Sequence, residues 1–457
     1  MAGDLPVTST EGALRRSLGL PQLLAYGLVF IGPAAAVGVW GTLDAVSGGV
    51  VPVVYLVATI VMALTASSYA LMSAEVPRAG SVFAYASEGI GRRTGHMGGW
   101  MMLLDYLLIP SVAYLFSGIA LHSLVPQVPV WVFVIAAVVI STGLNLAGVT
   151  VTAWVSTVVV MVEVVVLAAV LAVGIWVLAT IGPLRGWLDP LTGGAAGLDA
   201  GLVLGAVSIA VLSYLGFDAL ATFAEETRGG AKVVGRATLV CLVVAGFLFI
   251  LQSYVGALLS PQTTAELQAD PSLQGDAYYA MVDSEISPLL HALLSLAKGI
   301  GAIFSALVGQ AAASRIIWDM GRSGSLPHVF SRLSTRTGVP VVGVLVASAG
   351  NVLVAGWAST RGDGLNLVSS MVDVGAITGF VLVHASVIGY FVVRRRGGAV
   401  RPVRHLVIPV LGAGLLIVVL VSSSPVALIV GAIWALLGFA VLLLRRPSAG
   451  TADTLGR

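Results

Sequence analysis

Apolar runs of about 20 residues recur along nearly the whole chain, separated by short polar stretches. A run of that length, coiled as an α-helix, matches the roughly 30 Å hydrocarbon core of a bilayer. The pattern predicts an all-α membrane protein of twelve transmembrane helices, over 21–47, 52–73, 96–124, 129–147, 153–181, 200–223, 233–258, 288–320, 340–357, 368–392, 406–422 and 425–444. Two of these spans are interrupted. In the first, YGLVFIGPAAAVGVWG (26–41) carries Gly32 and Pro33 at mid-span; glycine loosens a helix, and proline removes a donor and clashes with the preceding turn. In the sixth, SYLGFDA (213–219) carries Gly216.

Spans 1 and 6 are an odd number apart and so cross the bilayer in opposite directions, as a five-plus-five inverted repeat requires. Unwound backbone at membrane depth is tolerated where it lines a cavity or is buried in protein, and its free N–H and C=O groups can hold a ligand. The expected division is a cytoplasmic tail over 1–20, a first repeat over 21–181, a second over 200–392, two extra helices over 406–444, and a cytoplasmic tail over 445–457.

Composition agrees with this reading. Of 457 residues 58% are hydrophobic and 10% charged, against about a quarter charged in a soluble domain. The N-terminus is polar for its first fifteen or so residues, and the first apolar segment is too long for a signal-peptide core, so it is expected to stay as a span. The formal charge of +2 matters less than its distribution: the expected inner segments hold 20 Lys and Arg residues, the outer ones only Arg185 and Arg361. That asymmetry puts both termini in the cytoplasm. An excess of Arg (21) over Lys (2) suggests a GC-rich bacterial genome and hence a bacterial cytoplasmic membrane. The longest outer loop, 260–286, is acidic, with Glu266, Asp270, Asp276, Asp283 and Glu285, and can raise the local cation concentration.

Several function classes are disfavoured. The pattern leaves no room for a soluble nucleotide fold and contains no Gly-rich loop followed by Lys and Ser/Thr, which argues against an ATP-driven pump. The six His residues show no metal-ligand spacing and are expected mostly at the membrane interfaces. Cys241 stands alone in an apolar run and forms no intrachain disulfide. No cofactor, metal or nucleic-acid partner is expected, and no enzymatic activity.

The chemistry is therefore sought in ionisable residues placed within spans: Asp105, Glu163, Asp218, Lys298 and Asp373. An unpaired charge there costs roughly 3 kcal/mol or more, so each is a functional candidate by default. Asp218, two residues past the Gly216 break, stands first, to bind a cationic group or carry a proton. Asp105 sits in mid-span beside Tyr106; adjacent helical residues point about 100° apart, so one of the two suffices to face a cavity. Glu163, about one-third of the way along span 5 from its inner end, suits a carboxyl that takes up and releases a proton. Lys298 counts to the outer half of span 8, which argues against a direct pair with Glu163. Asp373 counts to a turn or two from the outer end of span 10, within reach of water. Arg315, Asp319 and Arg322 share one helix face at spacings of four and three, for a structural or gating pair. Glu225 and Glu226 fall at the inner end of span 6, where water, Arg228 and Lys232 offset their charge.

The segments GPAAAVGVWG, PRAGSVFAYASEGIG, GWMMLLDYLLIPS, SYLGFDALATFAEET and ASRIIWDMGRSGSLP, in this order across essentially the whole chain, resemble the amino acid-polyamine-organocation superfamily of permeases. Within it the LLDYLLIP stretch and the LRRSLGL opening look most like the putrescine importer branch. The resemblance implies a LeuT-like fold with discontinuous helices 1 and 6, in which spans 1, 2, 6 and 7 move against 3, 4, 8 and 9. It implies a substrate site lined by Gly32, Pro33, Ala34, Tyr214, Gly216 and Phe217, with Tyr106 facing it and Asp218 at an acidic position linked to coupling. Glu163 departs from the pattern, where the position often holds Lys or a neutral residue.

The expectation is a secondary transporter, a monomer or weak homodimer in the lipid bilayer, importing a small organic cation such as putrescine with protons by alternating access. A diamine lacks a carboxylate and calls for Asp218, Asp105 and the faces of Tyr106, Tyr214 and Phe217. The alternative is an amino acid permease, for cationic or neutral substrates, or an exchanger, with the substrate carboxylate on free N–H groups at the span 1 break. A sensor or channel is disfavoured, because no continuous polar stripe is evident.

Overall fold

A computed structural model describes residues 19–76, 81–148, 153–218, 220, 227, 230–322, 327–396 and 398–444. The helices are α1 (Leu20–Ile31), α2 (Ala35–Ser47), α3 (Val51–Glu75), α4 (Ser81–Gly89), α5 (Arg92–Leu124), α6 (Val130–Leu146), α7 (Ala153–Thr180), α8 (Asp189–Thr192), α9 (Ala200–Ala210) and α10 (Ala231–Leu259). They continue as α11 (Thr264–Ala269), α12 (Ala277–Met281), α13 (Pro288–Arg322), α14 (Val341–Ala358), α15 (Gly364–Val387), α16 (Ile408–Val421) and α17 (Pro425–Leu444). Among the described residues nine helices are long and apolar enough to cross a membrane, and Val130–Leu146 and Ala200–Tyr214 are shorter apolar helices. The chain is therefore a multi-pass, helical membrane protein. Glu225, Glu226 and Arg228, and the side chains of Lys232, Asp319 and Arg322, lie outside the described residues, and with them the charge offset and the Arg315–Asp319–Arg322 pairing expected there.

Lipid tails are as apolar as leucine, so helices in a bilayer gain little from hiding apolar surface and associate through close packing and polar contacts. Both devices are present. α3 and α10 lie along each other, as do α5 and α13. A β carbon built on Gly235 of α10 stands 2.6 Å from the Ala70 β carbon of α3, and one built on Gly299 of α13 stands 2.8 Å from Leu121 of α5. The missing side chains are what let these pairs approach. α15 comes equally close to α5, where a β carbon on Gly375 would stand 2.8 Å from the Met101 carbonyl and 3.2 Å from the Asp105 amide.

A knot of uncharged polar groups joins α6, α13 and α14. Gln310 Nε2 donates to Ser348 Oγ at 2.8 Å and Thr142 Oγ1 at 3.2 Å, while Asn145 Nδ2 donates to Gln310 Oε1 at 2.7 Å. Gln310 is fully buried, so no water substitutes for these partners. Gln310→Leu is expected to cost about 1–2 kcal/mol, read as a lower apparent unfolding temperature in detergent. An unchanged unfolding temperature would show that the knot contributes nothing.

Candidate functional site

The first break falls where Gly and Pro place it. Gly32 turns to φ 72°, its amide still donating to the Leu28 carbonyl at 3.0 Å, and α2 restarts at Ala35 with no side chain capping it. The Pro33 carbonyl, cut out of the helical ladder, accepts from Gln252 Nε2 of α10 at 3.0 Å, and the same amide group donates to the Leu248 carbonyl at 3.0 Å. A β carbon built on Gly32 meets nothing within 4 Å. Among the described residues the break thus borders open space, beside the start of α2, where no side chain caps the helix although the Ala35 and Val37 amides donate to the Gly32 and Ala34 carbonyls; a helix start is a favourable place for negative charge.

The second break is made differently. α9 tightens into a 3₁₀ turn over Val211–Tyr214, Leu215 is extended (ψ 141°), and Gly216 takes φ 105°. The Tyr214 hydroxyl is 2.7 Å from Thr59 Oγ1 and donates to the Tyr55 carbonyl at 3.3 Å, while the Tyr55 hydroxyl lies 2.9 Å from Ser213 Oγ. The Tyr214 ring also packs edge-on against Phe249. Tyr214, expected to line the substrate site, is thus held by α3 and α10 and clamps the break.

Beyond Gly216 the chain delivers two groups. Phe217 is fully buried against Tyr69 of α3 and Phe380 of α15, and Asp218 is buried close enough to Asp105, Tyr106 and Tyr85 for its charge to bear on each. Asp105 in turn acts on Asp373. Asp373 overturns its expected exposure: α15 starts at Gly364, four residues earlier than the apolar pattern suggests, and covers Asp373 completely. Among the described residues neither Asp373 oxygen nor Oδ1 of Asp105 has a hydrogen-bond partner, although both residues are at least 95% buried, with 0% and 5% exposure. Buried carboxyl oxygens without donors are costly in apolar surroundings, and together these groups form a buried acidic cluster flanked by aromatic rings.

Glu163 and Lys298 are elsewhere. The Glu163 carboxyl lies against Gly301 of α13, one turn from Lys298, whose Nζ stands 5.4 Å from the centre of the Phe116 ring. The two residues sit closer in height than counting along the spans suggests, and Lys298 acts on Glu163, but they form no ion pair. Phe116 is eleven residues along α5 from Asp105, about 16 Å of helix, so this is a second locus.

The pattern of the family described as "Amino acid permease" matches residues 22–430, which takes in both breaks and all five of these charged side chains. The chain belongs to the amino acid permease family. Its relatives are transporters, not enzymes. The low-affinity putrescine importer PlaP of Escherichia coli (strain K12) is 27% identical over 97% of this chain and 96% of its own. The branched-chain amino acid permease BcaP of Lactococcus lactis subsp. cremoris is 25% identical over 85% of each chain. The cationic amino acid transporter 3, mitochondrial, of Arabidopsis thaliana is 27% identical over 82% of this chain and 62% of its own.

Three features of this permease escape the sequence reading. His384, one of six His residues expected mostly at the interfaces, is fully buried, with Nδ1 2.8 Å from Ser68 Oγ and Nε2 3.3 Å from Thr65 Oγ1 of α3. A cavity of about 280 Å³ opens beneath the 260–286 segment, lined by Thr42, His122, Asp276 and Asn366 among others. Beside that segment Asp44, at the end of α2 and 0% exposed, accepts from Arg185 Nη1 at 3.1 Å and from Thr264 Oγ1 at 2.8 Å, while Arg185 Nη2 donates to the Gln262 carbonyl at 2.7 Å. This latch ties α2 to the segments that hold Arg185 and Thr264. Arg185→Gln, which leaves a buried carboxylate without its cation, is expected to cost about 3–5 kcal/mol. On an Asp44→Asn background the same change should cost much less, and a double-mutant cycle of unfolding temperatures without coupling would refute the latch.

Proposed function

We propose that this permease is a secondary active transporter importing a small organic cation, a diamine such as putrescine, by alternating access and coupled to protons. The arrangement we infer is a twelve-span, LeuT-like five-plus-five inverted repeat followed by two further helices, with both termini cytoplasmic. The pairings of α3 with α10 and of α5 with α13 support it, since each pairs a helix with the one five spans later. The observation that carries the substrate reading is the acidic cluster: among the described residues Asp105 and Asp373 have carboxyl oxygens without donors beside Asp218, near Tyr69, Tyr85, Tyr106, Phe217 and Phe380. Two ammonium groups a short methylene chain apart match acids for the charges and rings for the chain. The relative named a putrescine importer, covering nearly the whole chain, supports the same reading.

An amino acid permease is the second reading, favoured by one observation. The uncapped start of α2 at the open side of Gly32 suits a substrate carboxylate, and other relatives are named for amino acids. Uptake of labelled putrescine into proteoliposomes, competed by amines and by amino acids, separates the two. Putrescine should enter and be displaced by other diamines; entry of an amino acid that putrescine does not compete with ends the diamine reading. Asp373→Asn keeps the shape of the side chain and should raise the KM for putrescine about 10- to 100-fold, the loss of one charge-assisted contact. The KM for a neutral amino acid should not respond to it.

Glu163 belongs to the second locus, with Lys298 beside Phe116, and Phe116 is about 16 Å along α5 from Asp105, which supports a proton held apart from the bound substrate. Glu163→Gln is expected to abolish accumulation driven by a pH gradient while leaving counterflow exchange of putrescine intact. Unchanged dependence on the gradient removes Glu163 from the coupling.

A further inference from the structure

Away from both loci, at the opposite membrane face from the Asp44 latch, α3, α10 and the approach to α16 enclose a cleft of about 670 Å³. Arg236, from the start of α10, and Arg401 and Arg404, from the turns leading into α16, line it, together with a single acid, Glu75, at the end of α3. Among the described residues these three arginines join no ion pair and make no side-chain hydrogen bond, whereas their neighbours are committed: Arg396 pairs with Glu88 at 3.0 Å, and Arg394 donates to the Glu88 and Ile90 carbonyls. The cleft is built rather than frayed. Gly235 lets α10 touch α3 at Ala70, and the His405 ring lies flat on Phe391 at 4.1 Å while its Nδ1 accepts from the Arg401 amide at 3.1 Å.

We propose that this cleft binds the phosphate headgroup of an anionic phospholipid. Three guanidinium groups against one carboxylate favour a phosphodiester, which arginine grips through paired N–H donors. A lipid is favoured over a free anion by what adjoins the charges. Leu71, Leu239 and Ile408 line the same cleft, and from Leu239 an exposed apolar strip continues along α10 through Val243 to Phe247, while Leu406, Val410 and Leu411 are exposed on the α16 side. A headgroup held by the arginines leaves its acyl chains lying along these surfaces. Glu75 opposes the bound charge and favours lipids with a hydroxyl to donate to it, as in a glycerol headgroup. The site does not depend on what the permease carries. In the proposed cycle α3 and α10 move together, so a lipid wedged between them and α16 would tune transport without touching substrate.

The test is a titration of the full chain in detergent with short-chain phosphatidylglycerol, the matching phosphatidylcholine, and inorganic phosphate, read as the shift in apparent unfolding temperature. Phosphatidylglycerol alone should raise it. Arg401→Gln with Arg404→Gln should weaken that response roughly 30-fold in lipid concentration, and Lys at both positions should restore most of it. An equal response to phosphatidylcholine, a full shift from inorganic phosphate alone, or an unweakened response of the Gln variant each overturns the proposal. Should the Gln variant not fold, Leu239→Trp, which keeps every charge and fills the apolar wall, is expected to lose the shift; phosphatidylglycerol binding undiminished in that variant overturns it equally.

Discussion

A carbonyl released from its helix inside a bilayer has no water to turn to, and the protein must supply a donor. Everything else about the site depends on how that demand is met at Pro33. Gln252 meets it with one amide group that serves both the Pro33 carbonyl and its own helix, which pins the first break to α10. The second break is pinned by hydroxyls of α3, Tyr55 and Thr59, acting on Ser213 and Tyr214. Both breaks are thus held by α3 and α10, and these two helices are themselves locked together where Gly246 and Gly235 admit Thr59 and Ala70. The broken segments are fixed in place although their own ladders are open.

Much of this was legible because glycine and proline act locally. Gly32, Pro33 and Gly216 mark the breaks in the sequence, and the structure turns at the same residues. The groups that hold the breaks were not legible, since Gln252 lies 219 residues from Pro33 and Tyr55 lies 158 from Ser213. An uncharged amide or hydroxyl in an apolar run carries no signal of its own; its partner gives it meaning. Asp44 carries no signal in the sequence for the same reason, its cation lying 141 residues away. Asp373 was misplaced by a different error. The apolar pattern opens its helix at 368, but the four residues just before it, interrupted by Gly364 and Asn366, are already helical and carry Asp373 one turn deeper.

Depth changes what Asp373 is. Near water it would be a solvated acid of no consequence. Fully covered, with both oxygens unfilled and Asp105 acting on it, it joins α15 to an arrangement that otherwise belongs to α5 and the second break. The sequence singles out Asp105 and Asp218 as candidates, and the structure adds Asp373 beside Asp105. Glu163 and Lys298, buried charges like the others, are set apart from it by geometry alone, because α7 and the first half of α13 meet farther along α5.

The contacts around the pocket differ in how they respond to movement. Tyr69 packs edge-on against Tyr85, Phe217 and Phe380, with ring centres 5.5–5.9 Å apart. Such contacts are broad in geometry and lose little when rings slide. One turn along α15 from Phe380, His384 makes directional bonds to Thr65 and Ser68 of α3, and the close approach of Gly412 leaves its ring no other place. If α3 shifts against α15 in the proposed cycle, the ring cluster can follow and the His384 bonds cannot. The seam between the two helices is therefore held by broad ring contacts beside the buried acids and by directional bonds a single turn away.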